Sequence, residues 1–167
     1  MPFSTSVYKE ETVEHLKSKF GSDSTILDVG AGAGYYSKHL REFFPNMDAV
    51  EIFERYITDY NLKLKYNNVW VSDILKFEFD RYDIILMGDV LEHIEESQGI
   101  ELVQRLYPKC QELVIGIPFN AEQGPWGGNI YEIHLQHTLT HESFMEKYNG
   151  FKPLGYRFDY GVYVKDL

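Results

Sequence analysis

Residues 26–37 read Ile26-Leu27-Asp28-Val29-Gly30-Ala31-Gly32-Ala33-Gly34-Tyr35-Tyr36-Ser37: an apolar run, three glycines on alternate positions, then a helix-compatible stretch. The apolar run predicts a buried strand over 25–29, and the change of period after Gly34 predicts a helix. Glycine reaches backbone angles closed to residues with a Cβ and lets a ligand approach the main chain. A strand whose C-terminal end opens into a ligand-binding turn is the simplest reading.

Outward from this turn, apolar segments alternate between strand and helix periods, which predicts an α/β sheet in a single domain over 1–167. An N-terminal helical segment (1–23) holds a helix over 7–20, with Ser6 as its cap and Val13, Leu16 and Phe20 on one face. A helix over 34–44 stops at Pro45. Strands are then expected over 47–51, 69–71, 82–87 and 112–117, with helices over 54–64, 96–107 and 140–148. Two closing strands, 152–158 and 162–165, flank a turn at Asp159-Tyr160-Gly161. Ten residues, 72–81, join the third and fourth strands, too few for a helical crossover. Extended, they reach about 33 Å, enough to pass three strand spacings of about 4.8 Å. Strand order 3-2-1-4 is therefore open without a helix there.

At 167 residues one domain can bury about 68–70% of its unfolded surface. Hydrophobic residues at 44% and charged residues at 25% place the chain among soluble globular proteins. The first six residues show no basic region followed by an apolar run, and no apolar stretch approaches about 20 residues, so a cytoplasmic location with no membrane partner is expected. A formal net charge of −10 argues against a basic footprint for duplex nucleic acid. Cys110 is the single cysteine, which excludes an intrachain disulfide and predicts a buried, inert thiol.

A dinucleotide-binding turn, Gly-x-Gly-x-x-Gly, would place its third glycine at position 35, which is Tyr35. The spacing Gly-x-Gly-x-Gly after Asp28 instead resembles the first motif of class I S-adenosylmethionine (SAM)-dependent methyltransferases, and the element order from Ile26 onward is similar to theirs. The resemblance implies a Rossmann-like, mostly parallel seven-stranded sheet in the order 3-2-1-4-5-7-6 with an antiparallel C-terminal hairpin. It implies S-adenosyl-L-methionine as cofactor and methyl transfer to an oxygen or nitrogen of a small-molecule acceptor. Asp28, Gly30, Ala31, Gly32 and Tyr35 would form the glycine-loop part of the cofactor site. Glu51 would accept hydrogen bonds from the ribose diol, a task that needs acceptors and no donor, with Ile52 against the adenine. Asp73 and Ile74 would meet the adenine, and Asp89 and Val90 would complete the site.

The run Gly88-Asp89-Val90-Leu91-Glu92-His93 resembles the fourth motif of small-molecule methyltransferases, and the Asn/Asp-Pro-Pro-Tyr/Phe run of amino-methylating DNA enzymes is absent. Asp89 also suits a helix N-cap with Glu92 as its reciprocal partner; capping and ligand positioning are compatible. The loop over 118–139 is long enough to be functional, and it supplies Trp126, Tyr131, His134 and His137 as candidate acceptor contacts. His93 or His137 is the candidate for removing an acceptor proton. Asp89, Glu92 and His93, with His134 or His137, resemble the metal-binding set of the small-RNA terminal 2′-O-methyltransferases. Asp89 stands where that set has Glu, and capping accounts for the acids, so no metal requirement is expected. A metal-dependent RNA 2′-O-methyltransferase and a non-catalytic SAM-binding partner subunit are the alternatives.

Overall fold

A computed structural model describes residues 6–167; the first five positions, on which the expectation of no leader partly rests, lie outside the described residues. Seven strands, β1 (Thr25–Val29), β2 (Asn46–Glu51), β3 (Val69–Val71), β4 (Ile84–Gly88), β5 (Glu112–Pro118), β6 (Lys152–Arg157) and β7 (Tyr160–Asp166), form one sheet in the order β3-β2-β1-β4-β5-β7-β6. The first five in sequence run parallel, and β7 lies antiparallel between β5 and β6. This is the expected topology. Ile26, Leu86 and Val114 face one apolar cluster and Leu27, Ile85 and Ile115 the other. A sheet covered on both sides accounts for the unbroken apolar runs.

The helices are α1 (Lys9–Lys19), α2 (Tyr35–Leu40), α3 (Glu54–Asp59), α4 (Leu62–Lys65), α5 (Glu96–Leu106) and α6 (His141–Lys147). Several boundaries depart from expectation. Tyr8, at φ 55°, is the N-cap of α1, and Ser6 contributes only its carbonyl, 3.2 Å from the Lys9 N–H. α2 stops at Leu40, whose carbonyl receives the N–H groups of both Phe43 (3.0 Å) and Phe44 (2.8 Å). This tightening follows from Pro45, which disfavours helical angles at the residue before it. The helix expected over 54–64 breaks at Asn61, which takes φ 52°; asparagine tolerates that left-handed region better than most residues. The closing turn is Phe158-Asp159 alone. Tyr160 and Gly161 belong to β7 opposite Pro118 and Ile117, because burial of the Tyr160 ring against the sheet extends the pairing.

The link from β3 to β4 contains no helix, as its length requires. Aromatic packing takes the helix's place: Trp70 lies 5.4 Å from Phe77, and Phe77 lies 5.1 Å from Phe79, centroid to centroid. Arg105 of α5 donates to the Leu75 carbonyl (2.7 Å) and the Phe77 carbonyl (2.9 Å). Helix α1 is docked by Glu112, fully buried at the start of β5, which accepts from His15 Nε2 at 2.8 Å and from Lys19. Cys110 is buried and bonds the Leu106 carbonyl at 3.5 Å; burial, with the neighbouring Glu112 charge, pushes its thiol up to about 12. Among the described residues no helix is long and apolar enough to cross a membrane.

Arg105→Ala should lower unfolding free energy by about 1 kcal/mol, the usual net worth of a hydrogen bond, since the guanidinium is exposed. Arg105→Lys should recover only part of it, because an ammonium lacks the fork that reaches two carbonyls. Urea unfolding of the three proteins measures both effects.

Candidate functional site

The order of strands reverses at β1, where β2 lies on one side and β4 on the other, and the C-terminal ends of these strands open into a cleft. That is the place where open α/β sheets bind ligands. The glycine turn forms its floor. Gly30 has φ 67°, and a Cβ there would stand 2.6 Å from Val90 Cγ2; Gly34 has φ 76°, and a Cβ would meet Lys65 Cδ at 2.8 Å. The turn is therefore wedged between Val90 and α4. Lys65 completes the wedge by donating to the Ala33 carbonyl at 2.7 Å.

Glu51, at the end of β2, holds the turn from the other side. Its Oε2 accepts the Gly32 N–H at 2.9 Å, and its Oε1 accepts the Phe53 N–H at 2.9 Å. Burial raises its carboxyl above the ordinary range, while the Phe53 and Gly32 bonds oppose that shift. Asp28, also buried, accepts from Tyr66 OH at 2.5 Å. Burial pushes Asp28 up to about 7 against the Tyr66 bond and the charge of Lys9. Asp73 accepts the Leu75 N–H at 3.0 Å, so its turn-forming role and its place in the cleft wall coexist.

Asp28, Gly30, Ala31, Gly32, Tyr35, Glu51, Ile52, Asp73, Ile74, Asp89 and Val90 all line the cleft, joined by His93 and Tyr131. Other expectations need correction. Asp89 caps no helix: it has φ 58°, and the chain after it forms only a short 3₁₀ turn, Leu91–His93, with Val90 at its N-cap and no side-chain cap. Hence Asp89, Glu92 and His93 do not share one α-helical face. His137 is exposed and outside the cleft. Its neighbour Gln136 is buried, donating to the Leu91 carbonyl (2.7 Å) and the Ile94 carbonyl (2.9 Å), which leaves His137 in the outward turn closed by Leu139 N–H on the Gln136 carbonyl. Trp126 is also outside the cleft, in a tight turn where it and Asn129 exchange backbone hydrogen bonds at 3.2 and 2.8 Å. His134 lies behind the wall, its Nδ1 2.7 Å from the Ala121 carbonyl and its ring 4.9 Å from that of His93.

Comparison with known proteins agrees with this geometry. A family of proteins described as "Methyltransferase domain" matches residues 7–112. The chain belongs to the class I SAM-dependent methyltransferases. A ubiquinone biosynthesis O-methyltransferase of Rickettsia bellii is 33% identical over 109 residues, covering 58% of this chain and 44% of that protein. The chain spans less than half the length of the curated relatives it matches. Among solved structures, the magnesium protoporphyrin IX methyltransferase of Synechocystis with bound SAM superimposes with a TM-score of 0.66 at 16% identity, covering 93% of this chain and 76% of that one. A SAM-dependent methyltransferase of Clostridium acetobutylicum gives 0.72 at 11% identity, covering 96% and 90%.

At and beneath this cleft stand residues that sequence reasoning missed. Lys9 is fully buried beneath the cleft, donating to Tyr36 OH at 3.1 Å and lying 3.8 Å from Asp89 Oδ2. Burial alone would lower its ammonium, but Tyr36, Asp89 and Asp28 together hold it above its ordinary value. The signal was available: Lys9, Thr12 and Leu16 are the buried positions of α1, and their spacing is that of an inward helical stripe. Glu132, buried in the wall, accepts from Tyr56 OH at 2.8 Å, and Gln123 donates to its carbonyl at 2.7 Å. Nothing local marks this pair.

The Asp28 shift has a measurable consequence. Folded, Asp28 keeps its proton up to about pH 7; its ordinary value is 3.8. Between those values the folded chain binds the extra proton, so Asp28 makes stability fall as pH rises from about 4 to about 7 and level off above. Asp28→Asn should remove this part of the slope, as read from urea unfolding of both proteins at about pH 5 and about pH 7.5.

Proposed function

We propose that this chain binds SAM in the cleft and transfers its methyl group to a hydroxyl or amine of a small molecule. The observation that carries the reading is the convergence of Glu51, the glycine turn and Asp73 on one cleft at the switch point. Each Glu51 oxygen uses one acceptor position for a backbone N–H, and a carboxylate oxygen offers two. A free position on each suits a diol's two donors. SAM carries a sulfonium and an ammonium, and the cleft that would receive it holds Asp28, Glu51, Asp73 and Asp89.

Methyl transfer is an in-line displacement at cationic sulfur: the bond from acceptor to carbon forms as the carbon–sulfur bond breaks, and the electron pair goes to sulfur. Positioning alone supplies up to about 7–11 kcal/mol of such a barrier. Because the positive charge at sulfur vanishes during transfer, a carboxylate touching it would favour the ground state. The acids are better used on the ribose, adenine and amino-acid ends. Of the two candidate bases, His93 and His137, His93 lines the cleft, which supports it in this role. Its Nδ1 lies 3.1 Å from the Ile133 carbonyl, which only accepts, so Nε2 carries the lone pair. Burial lowers the pKa of this imidazole, which keeps it neutral.

A small acceptor is supported by the wall of the loop over 119–140, which brings Asn129, Tyr131 and Leu135 to the cleft. Backbone bonds from Leu135 (2.7 Å) and Gln136 (3.1 Å) to the Glu92 carbonyl hold this wall in place. Glu95 and Glu132 in the same lining would repel a phosphate backbone. An oxygen acceptor accords with the name of the Rickettsia bellii O-methyltransferase.

Calorimetric titration should show SAM bound in preference to NAD; tighter binding of NAD would overturn the reading. Glu51→Gln should weaken SAM binding by about 1.5–3 kcal/mol, the worth of hydrogen bonds to a charged group. The amide nitrogen would also face the Gly32 or the Phe53 N–H, donor against donor.

A further inference from the structure

We propose that the buried ammonium of Lys9 is a counter-charge beneath the cleft, which disfavours a cationic sulfur there relative to a neutral one. This role presupposes SAM in the cleft, as proposed above. The acids lining the cleft are Asp28, Glu51, Asp73, Asp89, Glu95 and Glu132, with no lysine or arginine among the lining residues. Such a lining suits a sulfonium, and there lies the difficulty. The charge on sulfur vanishes during transfer, so the field of the acids favours the ground state over the transition state even where they grip the far ends of the cofactor. A cation held close by opposes that bias.

Lys9 is placed to supply it. The residue is fully buried at the start of α1. Its Nζ donates to Tyr36 OH at 3.1 Å and lies 3.8 Å from Asp89 Oδ2, and both Tyr36 and Asp89 line the cleft. Asp89 Oδ2 is buried with no hydrogen-bond partner among the described residues, and the side chain as a whole keeps 18% exposure. Asp89 also takes φ 58°, a left-handed conformation that is uncommon for a residue with a Cβ. Tyr36, Asp89 and Asp28 together keep Lys9 charged against its burial.

The sheet makes room for this charge. Gly88 of β4 and Gly116 of β5 are register partners. A Cβ at Gly88 would stand 2.8 Å from Tyr36 Cε2 and 3.0 Å from Lys9 Nζ, and one at Gly116 would stand 2.5 Å from Tyr160 OH. Two adjacent strands thus give up side chains at one level, and Lys9, Tyr36 and Tyr160 fill the space. Buried charge is a poor source of stability, since apolar residues of similar volume often do as well or better. Nor is this ammonium needed to dock α1, which His15, Lys19 and Glu112 already do. A charge kept under the cleft acts on what the cleft binds.

SAM and S-adenosylhomocysteine differ at sulfur by one methyl group and one positive charge, so the ratio of their dissociation constants reads the field there without any acceptor. Calorimetric titration of the full chain at about pH 8, above the value of about 7 to which Asp28 is raised, gives that ratio for each protein. Lys9→Met should shift it toward SAM on the order of tenfold, the effect of a unit charge about 10 Å away at an effective dielectric of about 20. Asp89→Asn should shift it toward S-adenosylhomocysteine. Lys17→Met, at an exposed position of α1, should leave it unchanged. A role in packing alone would weaken both ligands together.

Circular dichroism checks the fold of each variant. If Lys9→Met does not fold, Lys9→Met combined with Asp89→Asn, set against Asp89→Asn alone, carries the comparison. An unchanged ratio in Lys9→Met, a shift toward S-adenosylhomocysteine, or an equal shift in Lys17→Met would overturn the counter-charge. Failure of the parent to bind either ligand would overturn the cofactor reading beneath it.

Discussion

Two backbone N–H groups, from Gly32 and Phe53, converge on the buried carboxylate of Glu51. The cleft depends on this contact. A glycine turn with three positive-φ residues has many conformations available to it, and a loop free to sample them would offer no fixed cradle. Glu51 ties the turn to the end of β2 and starts α3 in the same stroke, while Lys65 and Val90 close it from the other sides. The sheet supplies the frame, because β1 and β2 are held in register from Thr25 opposite Asn46 to Val29 opposite Val50.

Acid concentrates at the cleft and beside it. Asp28 and Glu51, which line it, and Glu92, which does not, are all buried, and burial pushes each carboxyl upward. Among the described residues Lys9 is a counterweight to this acid, and it comes from α1, which is docked through His15, Lys19 and Glu112. The N-terminal helix is thus part of the electrostatics of the site as well as a cover for the sheet.

The sheet was legible because its strands are covered on both faces, so they read as apolar runs, and because ten residues cannot hold a crossover helix. The glycine turn, Glu51 and Asp73 were legible for a related reason: each sits at the end of a strand, where local sequence and position in the fold coincide. Helix ends were harder. Pro45 acts one residue before itself, Asn61 breaks a helix with no proline or glycine to announce it, and Tyr160 joins β7 because of what its ring is buried against. Partners far apart in sequence were invisible; Tyr56 and Glu132 meet across 76 residues. His134 and His137 could not be told apart until the loop's backbone bonds to Glu92 fixed which one turns inward.

A structure of the chain with S-adenosylhomocysteine bound tests the account most directly. The expected complex has the ribose diol on Glu51, the adenine beside Ile52 and Ile74, and the amino-acid end over the Gly30–Gly32 turn. A ligand bound elsewhere, or a cleft that stays closed to it at saturating concentration, would contradict the account.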